Sequence, residues 1–219
     1  MTSHPLRARV VFAAVALTIL TAPHAMATQS REWRFNVYLD DARIGYHNFR
    51  LTAQEQGRQR IDIDARFDVK LLFFTAYRYR HSNTELWQQQ CLRSIQADTD
   101  DNGKHLLVRG SVDDGLFRLE HGADRGARSG CVMSFAYWDP AILKADRLLN
   151  SQTGEYVDVR VMPLGRERVE VRGEAVPASR YRLTAGEAVI DLWYGNNDGR
   201  WLALRSTTAS GRMLHYRIE

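Results

Sequence analysis

Between Arg60 and Leu71 the chain reads RIDIDARFDVKL, and every second residue is apolar. Ile61, Ile63, Ala65, Phe67, Val69 and Leu71 share one side of an extended backbone, while Arg60, Asp62, Asp64, Arg66, Asp68 and Lys70 share the other. Successive side chains point to opposite faces in a β-strand, whereas a helix would spread these charges around its whole circumference. The stretch therefore dictates a strand with one face in a core and one in water, the pattern of an antiparallel sheet. WRFNVYL repeats it, with Trp33, Phe35, Val37 and Leu39 in phase.

Turn chemistry cuts the rest of the chain into similar pieces. Asp40-Asp41, Gln56-Gly57, Asp101-Asn102-Gly103, Asp114-Gly115, Leu164-Gly165, Asn197-Asp198-Gly199 and Ser210-Gly211 are residues that accept tight-turn backbone. Between them lie about ten or eleven strand-like runs, most of them closely spaced. The polar stretch from Gly122 to Gly130 lacks alternation and reads as a mobile connection. A helical signal follows: Asp139 as cap, Pro140 at the first position, Ile142, Leu143, Leu148 and Leu149 near helical spacing, and Gly154 beyond the end. The expected fold is mainly β: an antiparallel meander forming an open or incomplete barrel of about 10–11 strands, with one short helix against the concave side.

The first 27 residues differ in kind. Arg7 and Arg9 precede an apolar run from Val10 to Thr21, and Ala25-Met26-Ala27 offers a small-x-small cleavage site. This is the layout of a secretory signal peptide. The run is shorter than the ~20 residues a membrane span needs, and no later stretch comes closer. Residues 1–27 are thus expected to be a removable leader, and 28–219 a single β-rich domain starting at Thr28, exported to the periplasm and not membrane-spanning. The net charge of +4 includes 30 Lys and Arg, but these alternate with acids and apolar residues and form no basic block, which argues against nucleic acid as a partner. Of the two cysteines, Cys91 and Cys131, an even count in an oxidising compartment favours a disulfide over two separate buried thiols.

Catalytic and metal-binding motifs are sparse. DTDDNG, with Asp98, Asp100, Asn102 and Gly103, opens like a calcium loop, but the position that needs a bidentate Glu is Arg109. A hairpin turn at Asn102-Gly103 is the better reading. There is no G-x-S-x-G, no H-E-x-x-H and no phosphate-binding glycine loop, and His47, His81, His105, His121 and His215 are scattered, so no cofactor, metal or catalytic set is expected.

The run YRYRHSNTELW carries more. If its alternation holds, Tyr77, Tyr79, His81, Asn83, Glu85 and Trp87 share an inward face, and the buried His and carboxylate need partners. They serve as a structural hydrogen-bond network, as contacts to a ligand's polar end, or as an acid–base couple. A bulge near Ser82 would instead turn the later residues outward. Aromatics cluster at Phe73, Phe74, Phe135, Tyr137, Trp138 and Trp193, and GCVMSFAYWDP packs Cys131, three of these rings and the helix start into one stretch. Core packing accounts for aromatic clusters of this kind, and so do the walls of a cavity.

The series WRFNVYLD…RIGYHNFRL, TELWQQQCLRSIQADTDDNGK, SGCVMSFAYWDPAILKADRLLNSQTGE and DLWYGNNDGRWLALRS resembles a family of exported bacterial proteins that carries only a domain-of-unknown-function label. The resemblance spans nearly all of residues 28–219, and CVMSFAYW followed by LLNSQTGE is its most specific part. It includes both cysteines, which supports a Cys91–Cys131 bridge, and it implies no activity. In architecture alone the chain is also similar to lipoprotein-carrier and lipocalin-like proteins, whose curved sheets hold acyl chains.

The expected function is a periplasmic binding or carrier protein for a lipid or other amphipathic molecule. Phe73, Phe74, Tyr77, Tyr79, Trp87, Phe135, Tyr137, Trp138 and Trp193 would wall the site, and His81, Asn83 and Glu85 would meet the polar end. The alternatives are an envelope assembly factor that binds a protein partner at a sheet edge, and an enzyme for a lipid-like substrate using His81 and Glu85.

Overall fold

The computed structural model describes residues 30–71, 74–208 and 210–219. The expected leader, residues 1–27, its cleavage point and Phe73 lie outside the described residues, as does the side chain of Phe74. Eight strands run first: β1 (Ser30–Leu39), β2 (Ala42–Ala53), β3 (Arg58–Leu71), β4 (Phe74–Gln88), β5 (Cys91–Asp101), β6 (Lys104–Asp113), β7 (Leu116–His121) and β8 (Asp124–Ser129). After a crossing segment come β9 (Arg147–Leu149), β10 (Tyr156–Val171), β11 (Glu174–Ala185), β12 (Ala188–Gly195), β13 (Trp201–Thr207) and β14 (Met213–Ile218). All fourteen join one sheet in the order β8-β7-β6-β5-β4-β3-β2-β1-β14-β13-β12-β11-β10-β9. Every ladder is antiparallel, and the ends, β8 and β9, do not pair with each other.

The alternation of β3 is realised as burial: Ile61 and Ala65 are buried, and Arg60, Asp64 and Arg66 are exposed. One continuous core joins the inner face, with Trp33, Phe35, Trp87, Phe117 and Trp201 fully enclosed. The Trp33 indole N–H donates to the Trp201 carbonyl at 3.1 Å, and the Phe35 and Trp201 rings lie 4.4 Å apart. Close strand approach makes Gly45 obligatory, since a Cβ there would sit 1.8 Å from the Arg66 carbonyl oxygen. The β5–β6 turn is the expected hairpin, with Asn102 and Gly103 at φ of 52° and 93°.

Three expectations change. The sheet has fourteen strands rather than the expected ten or eleven; among the additions are β8 and β9, which lack alternation yet pair with β7 and β10. The stretch read as a mobile connection, Gly122–Gly130, contains β8, whose six residues are all exposed and therefore carry no inside–outside signal. The helix is a five-residue 3-10 segment, Pro140–Lys144. Its cap chemistry is as expected, the Asp139 carboxylate accepting from the Ala141 N–H at 2.9 Å. The chain turns extended at Ala145, however, and Leu148 and Leu149 are buried in β9, paired with Val157 and Tyr156.

The crossing segment fills the concave side. A Cys91–Cys131 disulfide ties its start to the start of β5. The Leu92 N–H donates to the Val132 carbonyl and the Leu149 N–H to the Met133 carbonyl, both at 2.8 Å, so the start of the segment is tied to β5 on one side and to β9 on the other. Val132, Ser134, Ala136 and Trp138 are buried in alternation with half-buried Met133, Phe135 and Tyr137. GCVMSFAYWDP is thus an internal plug strapped across the sheet.

Candidate functional site

The inner row of β4 begins at the sheet register with β3 and β5, which places His81 opposite Ala65 and Thr99, and Glu85 opposite Ile61 and Ile95. No register shift occurs at Ser82, so Tyr79, His81, Asn83, Glu85 and Trp87 all stay inside and buried. They divide into two groups. Glu85 is fully enclosed and takes three donors: Asn83 Nδ2 and Trp87 Nε1 at 2.8 Å each, and Ser134 Oγ at 3.1 Å. Burial pushes its carboxyl above the ordinary value, and the three hydrogen bonds offset this only in part. The Trp87 ring meets Trp138 edge to face at 5.5 Å. This is a clamp between the sheet wall and the plug.

His81 does not join that clamp. Its Nδ1 lies 2.9 Å from Thr99 Oγ1, and the ring lines a cavity of about 210 Å³. His47 from β2, Phe49, Ile63, Phe135, Tyr137, Val157, Ala185, Ala188 and Ile190 line the same space, with Asn150, Ser151 and Gln152 as its amide and hydroxyl portion. His47 stacks on Phe49 at 4.3 Å, and its Nδ1 faces the Tyr216 hydroxyl at 3.2 Å. Its Nε2 is buried without a partner. Burial pushes the His81 imidazole down to about 4, against the pull of Asp64 and Asp98. Burial, with His81 nearby, holds His47 well below its ordinary value, and burial raises the Tyr137 phenol. Both imidazoles are therefore neutral at physiological pH.

The residues expected from the sequence fall into distinct places. His81, Phe135 and Tyr137 line the cavity. Tyr79 stacks on Phe67 at 5.0 Å beside it, while Asn83, Glu85, Trp87 and Trp138 build the clamp. Tyr77 is half-buried, its hydroxyl donating to Asp101 at 2.7 Å. Trp193 is on the opposite face of the sheet: Leu192 and Tyr194 enter the core, and Trp193 packs with Ala178 and Leu202 outside it. There its indole N–H donates to Glu167 at 2.6 Å, under the Arg180 and Arg205 guanidiniums. His47 was missed as a site residue, although the alternation of Gly45, His47, Phe49 and Leu51 places it on the apolar face.

The two ends of the sheet meet through side chains. Arg128 of β8 stacks over Tyr156 of β10 at 4.9 Å, and a Cβ on Gly154 would lie 2.4 Å from the His121 side chain. Among the described residues, no strand pairs with the outer side of β10 beyond Asp158. Among the described residues no cluster of His, Cys, Asp and Glu is arranged to hold a metal, and no helix is long and apolar enough to cross a membrane.

No curated protein matches the chain. A solved structure, the crystal structure of a beta-barrel-like protein of the domain of unknown function DUF1849 from Brucella abortus, superposes with a TM-score of 0.62 at 9% identity. The match covers 86% of this chain and 94% of that one, and the likeness is one of fold. A family model described as domain of unknown function DUF6134 matches residues 35–219, and the chain belongs to that family.

Proposed function

We propose that the protein is an exported, periplasmic binding or carrier protein for an amphipathic molecule, a lipid or a lipid-like compound, one end of which it holds in the interior cavity. The observation that carries this reading is a half-open pocket with walls of Phe49, Ile63, Phe135, Val157 and Ile190 and two imidazoles, bordering an otherwise filled core. Apolar walls with a few converging polar groups are the composition of a small-molecule site. At about 210 Å³ the space is smaller than the roughly 300–1,000 Å³ of sites that enclose a drug-sized ligand. It suits a terminal group, with the rest of the ligand extending past Asn150–Gln152. The disulfide favours an oxidising compartment, in keeping with the leader read from the sequence.

Mass spectrometry of residues 28–219, isolated from the periplasm without detergent, tests the proposal. A stoichiometric amphiphile is expected. Protein that is empty, and stays empty after exposure to envelope lipid extract, would end the binding reading.

A second reading, an envelope factor that captures an extended segment of a partner, draws on the unpaired outer edges of β8 and of β10 beyond Asp158. The acid–base reading draws nothing from the geometry, because His81 bonds to Thr99 and Glu85 is consumed by the clamp.

A further inference from the structure

We infer that the ligand end taken into the cavity is uncharged and carries a hydroxyl, or a group that likewise both donates and accepts a hydrogen bond. This rests on the binding reading above and narrows it to a ligand class.

The chain has 30 Lys and Arg and 26 Asp and Glu, yet none of them lines the cavity. An ion brought here would lose part of its hydration and meet no opposite charge, a situation that disfavours ions. A purely hydrocarbon end is disfavoured for a different reason. Of the buried polar side-chain atoms left without a partner among the described residues, His47 Nε2 is the one whose residue lines the cavity. A buried, unpaired nitrogen is a group waiting for a hydrogen bond.

The partners behind the rings set which hydrogen bond that is. His47 Nδ1 faces the Tyr216 hydroxyl at 3.2 Å, and His81 Nδ1 faces the Thr99 hydroxyl at 2.9 Å. A hydroxyl donates or accepts by rotating, so each imidazole can carry its proton on either nitrogen at little cost. Each imidazole can then present either an N–H or a lone pair to a ligand group. A hydroxyl is the smallest group that uses both, and it brings no charge into the apolar walls.

The test is a binding panel on the mature, disulfide-intact protein at neutral pH, by calorimetry and intrinsic fluorescence, with probes of matched chain length: decanol, decanoate, decyl phosphate, decylamine and decane. Decanol is expected to bind at least tenfold tighter than each charged probe and measurably tighter than decane. His47→Phe should weaken decanol about tenfold, the value of one hydrogen bond, and leave decane unchanged. A charged probe equal to or better than decanol, or decane equal to it, overturns the inference while keeping the binding reading. No binding by any probe removes both. The panel on the unmutated protein decides among these outcomes even if the variant fails to fold.

Discussion

Replacing both halves of the Cys91–Cys131 bridge with serine should cost about 4 kcal/mol of stability. The cysteines are 40 residues apart, and the loop entropy that a cross-link of that length removes from the unfolded chain is about 13 cal/mol/K, or ~4 kcal/mol at room temperature. Little else should change, because Cys131 is exposed and Cys91 only half-buried, so the substitutions open no cavity. Urea unfolding of residues 28–219, followed by tryptophan fluorescence, reads this directly. With an m-value of about 2–2.5 kcal/mol/M the midpoint should fall by roughly 1.5–2 M. The m-value itself should rise, because the uncrosslinked unfolded chain exposes more surface. Wild-type protein under reductant should show the same two changes. A loss below about 1 kcal/mol would refute the reasoning, since it would mean that residues 91 and 131 stay close in the unfolded chain without the bond.

Ser134→Ala removes one of the three donors to the enclosed Glu85 carboxyl and should cost about 1.5–3 kcal/mol in urea unfolding; a change within 0.5 kcal/mol would show that the clamp does not depend on it. His81, with a folded pKa of about 4 against an ordinary 6.5, binds its proton more readily when unfolded. Its contribution to stability is therefore complete above about pH 6.5 and lost as pH falls towards 4, by up to about 3 kcal/mol. Glu85, raised by burial, acts in the opposite direction, so the difference in pH profile between wild type and His81→Gln isolates the histidine. Gly45→Ala drives a Cβ into the Arg66 carbonyl and should cost about 3 kcal/mol or more, seen as lost soluble yield and a lower melting point. Gly126→Ala, which meets nothing within 4 Å, is the silent control.

Where a strand has one wet and one dry face, its burial was legible in the sequence: β3 and β4 alternate as their residues said, and His81 through Trp87 are inside for that reason. β8 was not legible, because a strand at a sheet end with both faces in water has no pattern to show. β9 was misread as helix because Ile142, Leu143, Leu148 and Leu149 meet a helical template by chance over a short span, and pairing with β10 outweighs that weak propensity. The division of the β4 row was also hidden. That Glu85 turns to the plug and His81 to a cavity depends on Ser134 and His47, each brought in from another part of the chain. Trp193 shows the limit of composition, since its aromatic neighbours Trp201 and Tyr194 are core residues while it faces the arginines outside.

The central β1–β14 ladder, with Phe35 opposite Ile218, has a consequence for the order of assembly. Every other neighbour in the sheet is also a neighbour along the chain, so β1–β8 and β9–β14 can each grow hairpin by hairpin. Joining them requires closing a loop of nearly the whole domain, the slowest kind of contact to make. A chain folding from its N-terminus would hold a half-sheet with a bare apolar face until its last strand arrives. The plug lies at the midpoint of the sequence and bonds to β5, in the first half. It can therefore cover part of that face while β14 is still unfolded, a temporary core for a half-built barrel.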